Sequence, residues 1–201
     1  MANAEITCEA AGRTALLIID MINDLDFGSG ERLLPFARDA ARAIASLRRE
    51  ARGAGVPVVY VNDNYGQWHS ERSLLVDHCR REGSLGAELV DLLAPGEDDY
   101  FVIKPQFSGF YSTNLPVLLP KLGASRLVLT GVAADICVLF TAADAHMREY
   151  ELWVPADCVA SADPRRTEWA LEIMRTAMHA DVRATSERRL HDWLAEAGED
   201  A

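Results

Sequence analysis

Short β-rich apolar runs alternate along the chain with longer stretches whose apolar positions recur every three to four residues. The first run, residues 14–20, reads Thr-Ala-Leu-Leu-Ile-Ile-Asp, with no polar position between Ala15 and Ile19. That pattern predicts a strand buried on both faces and ending in a carboxylate. Residues 33–52 read as a helix stopped by Gly53-Ala-Gly55, and residues 56–61 as a second strand, with Pro57 tolerable near its start. Strands at 100–104 and 126–130 follow, separated by a helix near 113–122 and a stop at Gly123. A fifth strand at 151–155 and a short sixth at 180–184 are expected, with helices over 135–150, 165–179 and 186–196.

This alternation predicts an α/β fold: a doubly wound, mainly parallel sheet of about six strands with helices on both faces, a Rossmann-like three-layer arrangement. Residues 1–201 are expected to form one domain, since no repeat, low-complexity tract or linker divides them. Ligands in such sheets sit beyond the carboxyl ends of the strands. Three residues with useful chemistry fall there: Asp20 after the first strand, Lys104 at the end of the third, and Cys137 in the turn and helix after the fourth. Residues 62–95 are the least regular and are expected to supply a lid or a substrate-shaping loop.

Composition narrows the options. Hydrophobic residues make up 49% and charged residues 25%, which are globular values. The net charge of −11 comes without a segregated basic face, because arginines sit beside acids, as in Glu187-Arg188-Arg189. Nucleic acid and anionic membrane are therefore not expected as partners. Residues 1–9 carry no basic segment followed by an apolar core, and no apolar run reaches the length of a membrane span, which points to a cytoplasmic protein. Cys8, Cys79, Cys137 and Cys158 are far apart and form no Cys-x-x-Cys pair, which argues against a disulfide framework and a structural zinc site.

In Thr130-Gly-Val-Ala-Ala-Asp-Ile-Cys-Val138 a buried strand runs through a glycine into a helical pattern. Asp135 reads as the N-cap, which places Cys137 in the first helical turn. There, free backbone N–H groups and the positive helix end favour a thiolate and can cradle an oxyanion. Lys104 stands out because the chain contains 18 arginines and only two lysines, Lys104 and Lys121. A compact ammonium can approach a thiolate and a carboxylate together, whereas a guanidinium presents a planar fork. Asp20 follows Leu-Leu-Ile-Ile and is the most buried candidate acid, with Asp24 and Asp26 as competitors. Carboxylate, ammonium and helix-start thiol make a base, orienter and nucleophile. Phe27, Asn64, Trp68, Phe107, Phe110 and Tyr111 are candidates for the pocket lining. His146 reads as structural, and Cys8, Cys79 and Cys158 as inert.

Three stretches, Leu16-Leu-Ile-Ile-Asp20-Met-Ile-Asn-Asp24, Lys104-Pro-Gln-Phe-Ser-Gly-Phe110 with Thr113 and Leu115, and Gly131-Val-Ala-Ala-Asp-Ile-Cys137-Val, occur in that order. Together they resemble the isochorismatase-like cysteine hydrolases, which include nicotinamidase, N-carbamoylsarcosine amidase and the ureidoacrylate amidohydrolases. The resemblance implies that Asp20 deprotonates Cys137 and that Lys104 positions both. The thiolate then attacks the carbonyl of a small amide or ureido substrate, and water hydrolyses the resulting thioester. It also implies a cis peptide between Val132 and Ala133, an oxyanion hole built from the Ala133 and Cys137 N–H groups, and a homo-oligomer, dimer or tetramer.

The departures from that pattern bear on the substrate. Nicotinamidases carry a metal site of the form Asp-x-His with a further His downstream. Here Asp63 matches, Tyr65 stands where the first histidine belongs, and only His69 and His78 lie nearby, so no metal and no other cofactor is expected. Isochorismatases proper lack the nucleophilic cysteine and cleave a vinyl ether, so Cys137 favours amide cleavage. A vinyl ether hydrolase and a non-catalytic small-ligand-binding module are the alternatives, and no glycine-rich phosphate loop follows the first strand to support the second.

Overall fold

The computed structural model describes residues 13–66 and 71–196. Its six strands are β1 (Thr14–Ile19), β2 (Val58–Asp63), β3 (Tyr100–Lys104), β4 (Arg126–Val132), β5 (Glu151–Trp153) and β6 (Val159–Ala160). They form one sheet in the order β3-β2-β1-β4-β5, with β6 pairing to β4, and every pair is parallel. Parallel neighbours need crossovers, which helices supply here: α1 (Gly30–Gly53), α2 (Arg72–Arg80), α3 (Ala87–Leu93), α4 (Leu115–Lys121), α5 (Leu139–His146), α6 (Pro164–Ala177) and α7 (Leu190–Glu196). This is the doubly wound α/β architecture that the alternation predicts.

The central strand explains the unbroken apolar run. Leu16 and Ile18 pack in one core with Ala37, Ala41 and Ile44 of α1, while Leu17 and Ile19 face the other core, with Leu115, Leu119, Val138 and Ala142. Successive side chains point to opposite faces, and both faces are covered, so neither phase of the alternation can be polar. Burial of each such Leu or Ile stabilises the fold by about 1.5–3 kcal/mol. Where β4 runs beside β1, Gly131 has φ +117°, and a Cβ there would lie 2.0 Å from the Ile19 carbonyl oxygen. Only glycine allows the two backbones to approach this closely.

The structure departs from the sequence expectation in four places. Residues 180–184 form no strand, only an isolated Trp153–Asp181 bridge, because the Asp181 carboxylate draws in the backbone and side chain of Arg183. The sixth strand is instead β6. The helix expected over 135–150 begins as a π-helical segment, Ala134–Val138, in which the Val138 N–H donates to the Ala133 carbonyl, before α5 takes over. The helix expected over 186–196 starts at Leu190, since the Ala184 N–H donates to Glu187 and forms a turn first. Residues 62–95 hold two short helices, α2 and α3, whose Cys79, Leu89, Val90 and Leu93 pack into the α1 side of the core. Among the described residues, no helix is long and apolar enough to cross a membrane.

Candidate active site

The sheet order places residues distant in sequence at one edge. In the β2–β3 register Asp63 lies opposite Lys104, and in the β1–β4 register Ile19 lies opposite Gly131. The carboxyl ends of β3, β2, β1 and β4 thus stand in a row. Asp20 ends β1 with φ +51°; its N–H donates to the Val61 carbonyl and its Oδ1 accepts from the Asp63 N–H at 2.8 Å. Two backbone bonds to β2 therefore hold this carboxylate in place.

Lys104 is wholly buried. Its Nζ lies 2.9 Å from Asp20 Oδ2, 3.5 Å from Asp63 Oδ2 and 3.5 Å from Cys137 Sγ. Cys137 also lies close enough to the Asp20 carboxylate for its charge to act on the thiol. Asp20 and Cys137, more than a hundred residues apart in sequence, thus meet at the Lys104 ammonium. A lysine this buried requires compensating charge, and two carboxylates provide it.

Burial pushes the Asp20 carboxyl above the ordinary aspartate range, and Lys104 draws it back only in part. Burial first, and then the charge of Asp20, push the Cys137 thiol well above its usual value. For Lys104, burial opposes the charge, but Asp20 and Cys137 outweigh it and the net shift is upward. Burial and the Asp20 charge both favour the Cys137 thiol, against the preference for thiolate that a helix start would give. Nor does Asp135 cap that start. The N-cap position is Ala133, without a side-chain cap, and the Asp135 carboxylate accepts from Ser161 Oγ at 2.5 Å and pairs with Arg166 Nε at 2.7 Å. The Val132–Ala133 peptide immediately before is cis.

A cavity of about 470 Å³ opens onto Asp20, Val132, Ala133 and Cys137. Of the pocket residues expected from sequence, Phe27 and Phe107 line it. Three others do not. Phe110 is buried in the core against Tyr150, Tyr111 is exposed outside the cavity, and the buried Asn64 uses its Oδ1 to accept from the Gly66 N–H in a turn. Trp68, like His69 and Cys8, lies outside the described residues. Of residues 62–95, Asp63 and Tyr65 reach the cavity wall. Tyr65 donates through its hydroxyl to the Ile22 carbonyl, and Asp63 Oδ1 accepts from the Tyr65 N–H. Among the described residues, no group of three His, Cys, Asp or Glu side chains is arranged to hold a metal ion.

Two cavity arginines escaped the sequence reading. Arg32 sits in the first turn of α1, and Arg166 in the first turn of α6, whose N-cap Asp163 accepts from the Arg165 N–H. The signal available was Asp163-Pro164, a helix-start signature directly after a strand, which puts the following residues at the ligand edge of the sheet. The other candidates are accounted for elsewhere. Asp24 binds His78 at 2.8 Å, Asp26 is exposed, His146 packs on His179, and Cys79 and Cys158 are buried.

Residues 14–187 match the family model of the isochorismatase domain. The uncharacterized isochorismatase family protein YaaI of Bacillus subtilis (strain 168) is 41% identical over 168 residues, covering 84% of this chain and 92% of that protein. The ureidoacrylate amidohydrolase RutB of Serratia proteamaculans (strain 568) is 32% identical over 194 residues, covering 84% of this chain and 78% of its own. The crystal structure of N-carbamoylsarcosine amidase from Thermoplasma acidophilum superposes with a TM-score of 0.68 at 32% identity, covering 88% of this chain and 99% of that one. With its fold, its strand-end charges and these relatives in agreement, the chain belongs to the isochorismatase family of hydrolases.

Proposed function

We propose that the chain is a cysteine amidohydrolase that cleaves a C–N bond of a small amide or ureido compound through a thioester on Cys137. The observation that carries this reading is the buried Lys104 ammonium, 2.9 Å from Asp20 and 3.5 Å from the Cys137 sulfur. Asp20, its proton affinity raised by burial, takes the Cys137 proton as the sulfur attacks the substrate carbonyl. The Ala133 and Cys137 N–H groups, on the same cavity wall, receive the developing oxyanion. The tetrahedral adduct collapses with loss of the amine or ammonia, which leaves with the proton held by Asp20, and the acyl group stays on sulfur. Water then gives a proton to Asp20 and attacks the thioester. The C–S bond breaks, the carboxylic or carbamic acid departs, and the thiol is restored. Lys104 stays protonated throughout and faces whichever of Asp20 and Cys137 carries the negative charge.

The amidohydrolase names of two relatives, one acting on ureidoacrylate and one on N-carbamoylsarcosine, support the bond class. The test is ammonia release over a panel of small amides and ureido acids, with intact-mass detection of an acid-quenched acyl adduct. Wild type is expected to release ammonia and to carry the adduct on the Cys137 peptide, and folded Cys137→Ala to do neither. Ammonia release that survives Cys137→Ala refutes the mechanism.

A further inference from the structure

The turn that carries Cys137 is held by a side chain from another strand. Ala134–Val138 is a single π-helical turn, in which the Ile136 and Val138 N–H groups both donate to the Ala133 carbonyl. Such turns are rare and are frequent at functional sites. Asp135, in the middle of this one, is held at three points. Its backbone N–H donates to Ser161 Oγ at 3.2 Å, the same hydroxyl donates to Asp135 Oδ1 at 2.5 Å, and Arg166 Nε pairs with Oδ2 at 2.7 Å. One hydroxyl can do both, since it has a proton to give and lone pairs to accept. Ser161 is itself fixed. It is buried, it follows β6, whose Ala160 lies opposite Val132 in the β4–β6 register, and its N–H donates to Thr167 Oγ1 of α6 at 2.9 Å. Ala133, Asp135 and Cys137 stand on the cavity wall, and Ser161 stands behind it.

We infer that Ser161 is a positioning residue for hydrolysis: through Asp135 it sets the turn so that the Ala133 and Cys137 N–H groups converge on the developing oxyanion. This rests on the reading of Cys137 as the nucleophile and of those two N–H groups as its oxyanion hole. Asp135 lies midway between them in sequence, so a shift of its backbone tilts both. Without the hydroxyl, the Asp135 N–H and Oδ1 lose their buried partner. Arg166 cannot take over, because it is exposed and touches only the end of the side chain, whereas the serine ties backbone and carboxylate of one residue together. Oxyanion donors act by being aimed in advance at where charge develops, so a small rotation of the turn weakens them.

Two reagents separate this role from a general loosening of the site. p-Nitrophenyl acetate acylates a thiol through a tetrahedral oxyanion: the C–S bond forms, nitrophenolate departs and the thiol proton passes to Asp20. Iodoacetamide alkylates the same sulfur by direct displacement of iodide, with no oxyanion. The readout is the ratio of the acylation rate to the alkylation rate, both followed by mass on the Cys137 peptide. For Ser161→Ala the ratio is expected to fall about 10- to 100-fold, the cost of misaligned donors. Ser161→Thr, which keeps the hydroxyl, should recover most of the loss. Thr130→Val, which removes an equally buried hydroxyl bonded to the Leu17 carbonyl and not to the turn, should leave the ratio in place. Adding Ser161→Ala to Asp135→Ala should cost nothing more, because the serine acts through Asp135. An unchanged ratio in Ser161→Ala, or a further fall in the double variant, overturns the inference. A wild type that carries no acetyl group on Cys137 overturns the nucleophile reading and this inference with it, so the two failures are told apart.

Discussion

Lys104→Met removes the only cation among the described residues that compensates the buried Asp20 carboxylate, and the consequences can be worked out from the geometry. Nζ is wholly buried and Asp20 nearly so, at 2.9 Å separation. Deleting one partner of such a pair leaves the other charge uncompensated, at a cost of about 3–5 kcal/mol. For a domain of this size each kcal/mol lowers Tm by roughly 2–4 °C, so the expected fall is about 6–20 °C. Asp63 loses the same partner, but it is about one-third exposed and 3.5 Å away, so water replaces most of what it loses.

The deficit should depend on pH, and its sign follows from linkage. The folded-state pKa of Asp20 already lies above its ordinary 3.8, and losing the ammonium raises it further. A carboxyl whose folded pKa exceeds its unfolded one costs nothing below the unfolded value and destabilises increasingly as pH rises through the folded value. The Tm gap between Lys104→Met and wild type is therefore expected to be larger at pH 8 than at pH 5. Adding Asp20→Asn, which removes the stranded charge, should recover most of the pH 8 gap while ammonia release stays absent. Scanning calorimetry of the three proteins at both pH values decides the matter. An equal gap at pH 5 and pH 8, or a second loss of stability on adding Asp20→Asn, would refute the reasoning.

Three further outcomes are expected. The acid limb of kcat/KM for ammonia release should lie above the ordinary aspartate value of 3.8, since burial raises the Asp20 pKa and its protonation removes the base; a limb centred at or below that value refutes the assignment. Gly131→Ala should destabilise by on the order of 3 kcal/mol, because its Cβ meets the Ile19 carbonyl oxygen at 2.0 Å with φ at +117°; an unchanged Tm would mean that the β1–β4 approach is looser than described. Ammonia release should persist in excess EDTA, since Asp63 is engaged by Lys104 and the Tyr65 N–H; loss on chelation with recovery on adding Zn²⁺ or Mn²⁺ contradicts this.

The parts of the site legible in sequence are those fixed by the sheet. Asp20 and Lys104 sit at strand ends, and the carboxyl edge of a parallel sheet gathers strand ends whatever their separation in sequence. Cys137 could be placed because Gly131 punctuates a buried strand just before it. The pocket lining was less legible, because a loop aromatic has no periodicity to say which way it points. Phe107 lines the cavity and Phe110, three residues on, is buried in the core. Asp135 misled for a related reason: an aspartate after a strand is a good cap, but Ser161 and Arg166, brought in by β6 and α6, compete for its oxygens and win. A two-residue strand such as β6 carries too little pattern to announce those partners.

In the proposed mechanism, the charge arrangement also accounts for how a site without a histidine among its described lining residues would move a proton. Before transfer the negative charge is on Asp20, 2.9 Å from Nζ, and afterwards on the Cys137 sulfur, 3.5 Å from it. At an effective dielectric constant of about 20, the attraction to the ammonium is roughly 6 kcal/mol in the first state and roughly 5 kcal/mol in the second. The transfer thus forfeits only about 1 kcal/mol of attraction, and the sum of charges on the three groups does not change. No new charge has to be created in a buried site, which is the expensive step. What remains is the difference in intrinsic proton affinity between thiol and carboxyl. Burial raises the Asp20 carboxyl and the Cys137 thiol alike, so the narrowing falls to the backbone N–H groups once the charge has moved to the substrate oxygen. A lysine suits this geometry because a single nitrogen sits between two acceptors, while the spread nitrogens of a guanidinium would favour the carboxylate over the sulfur.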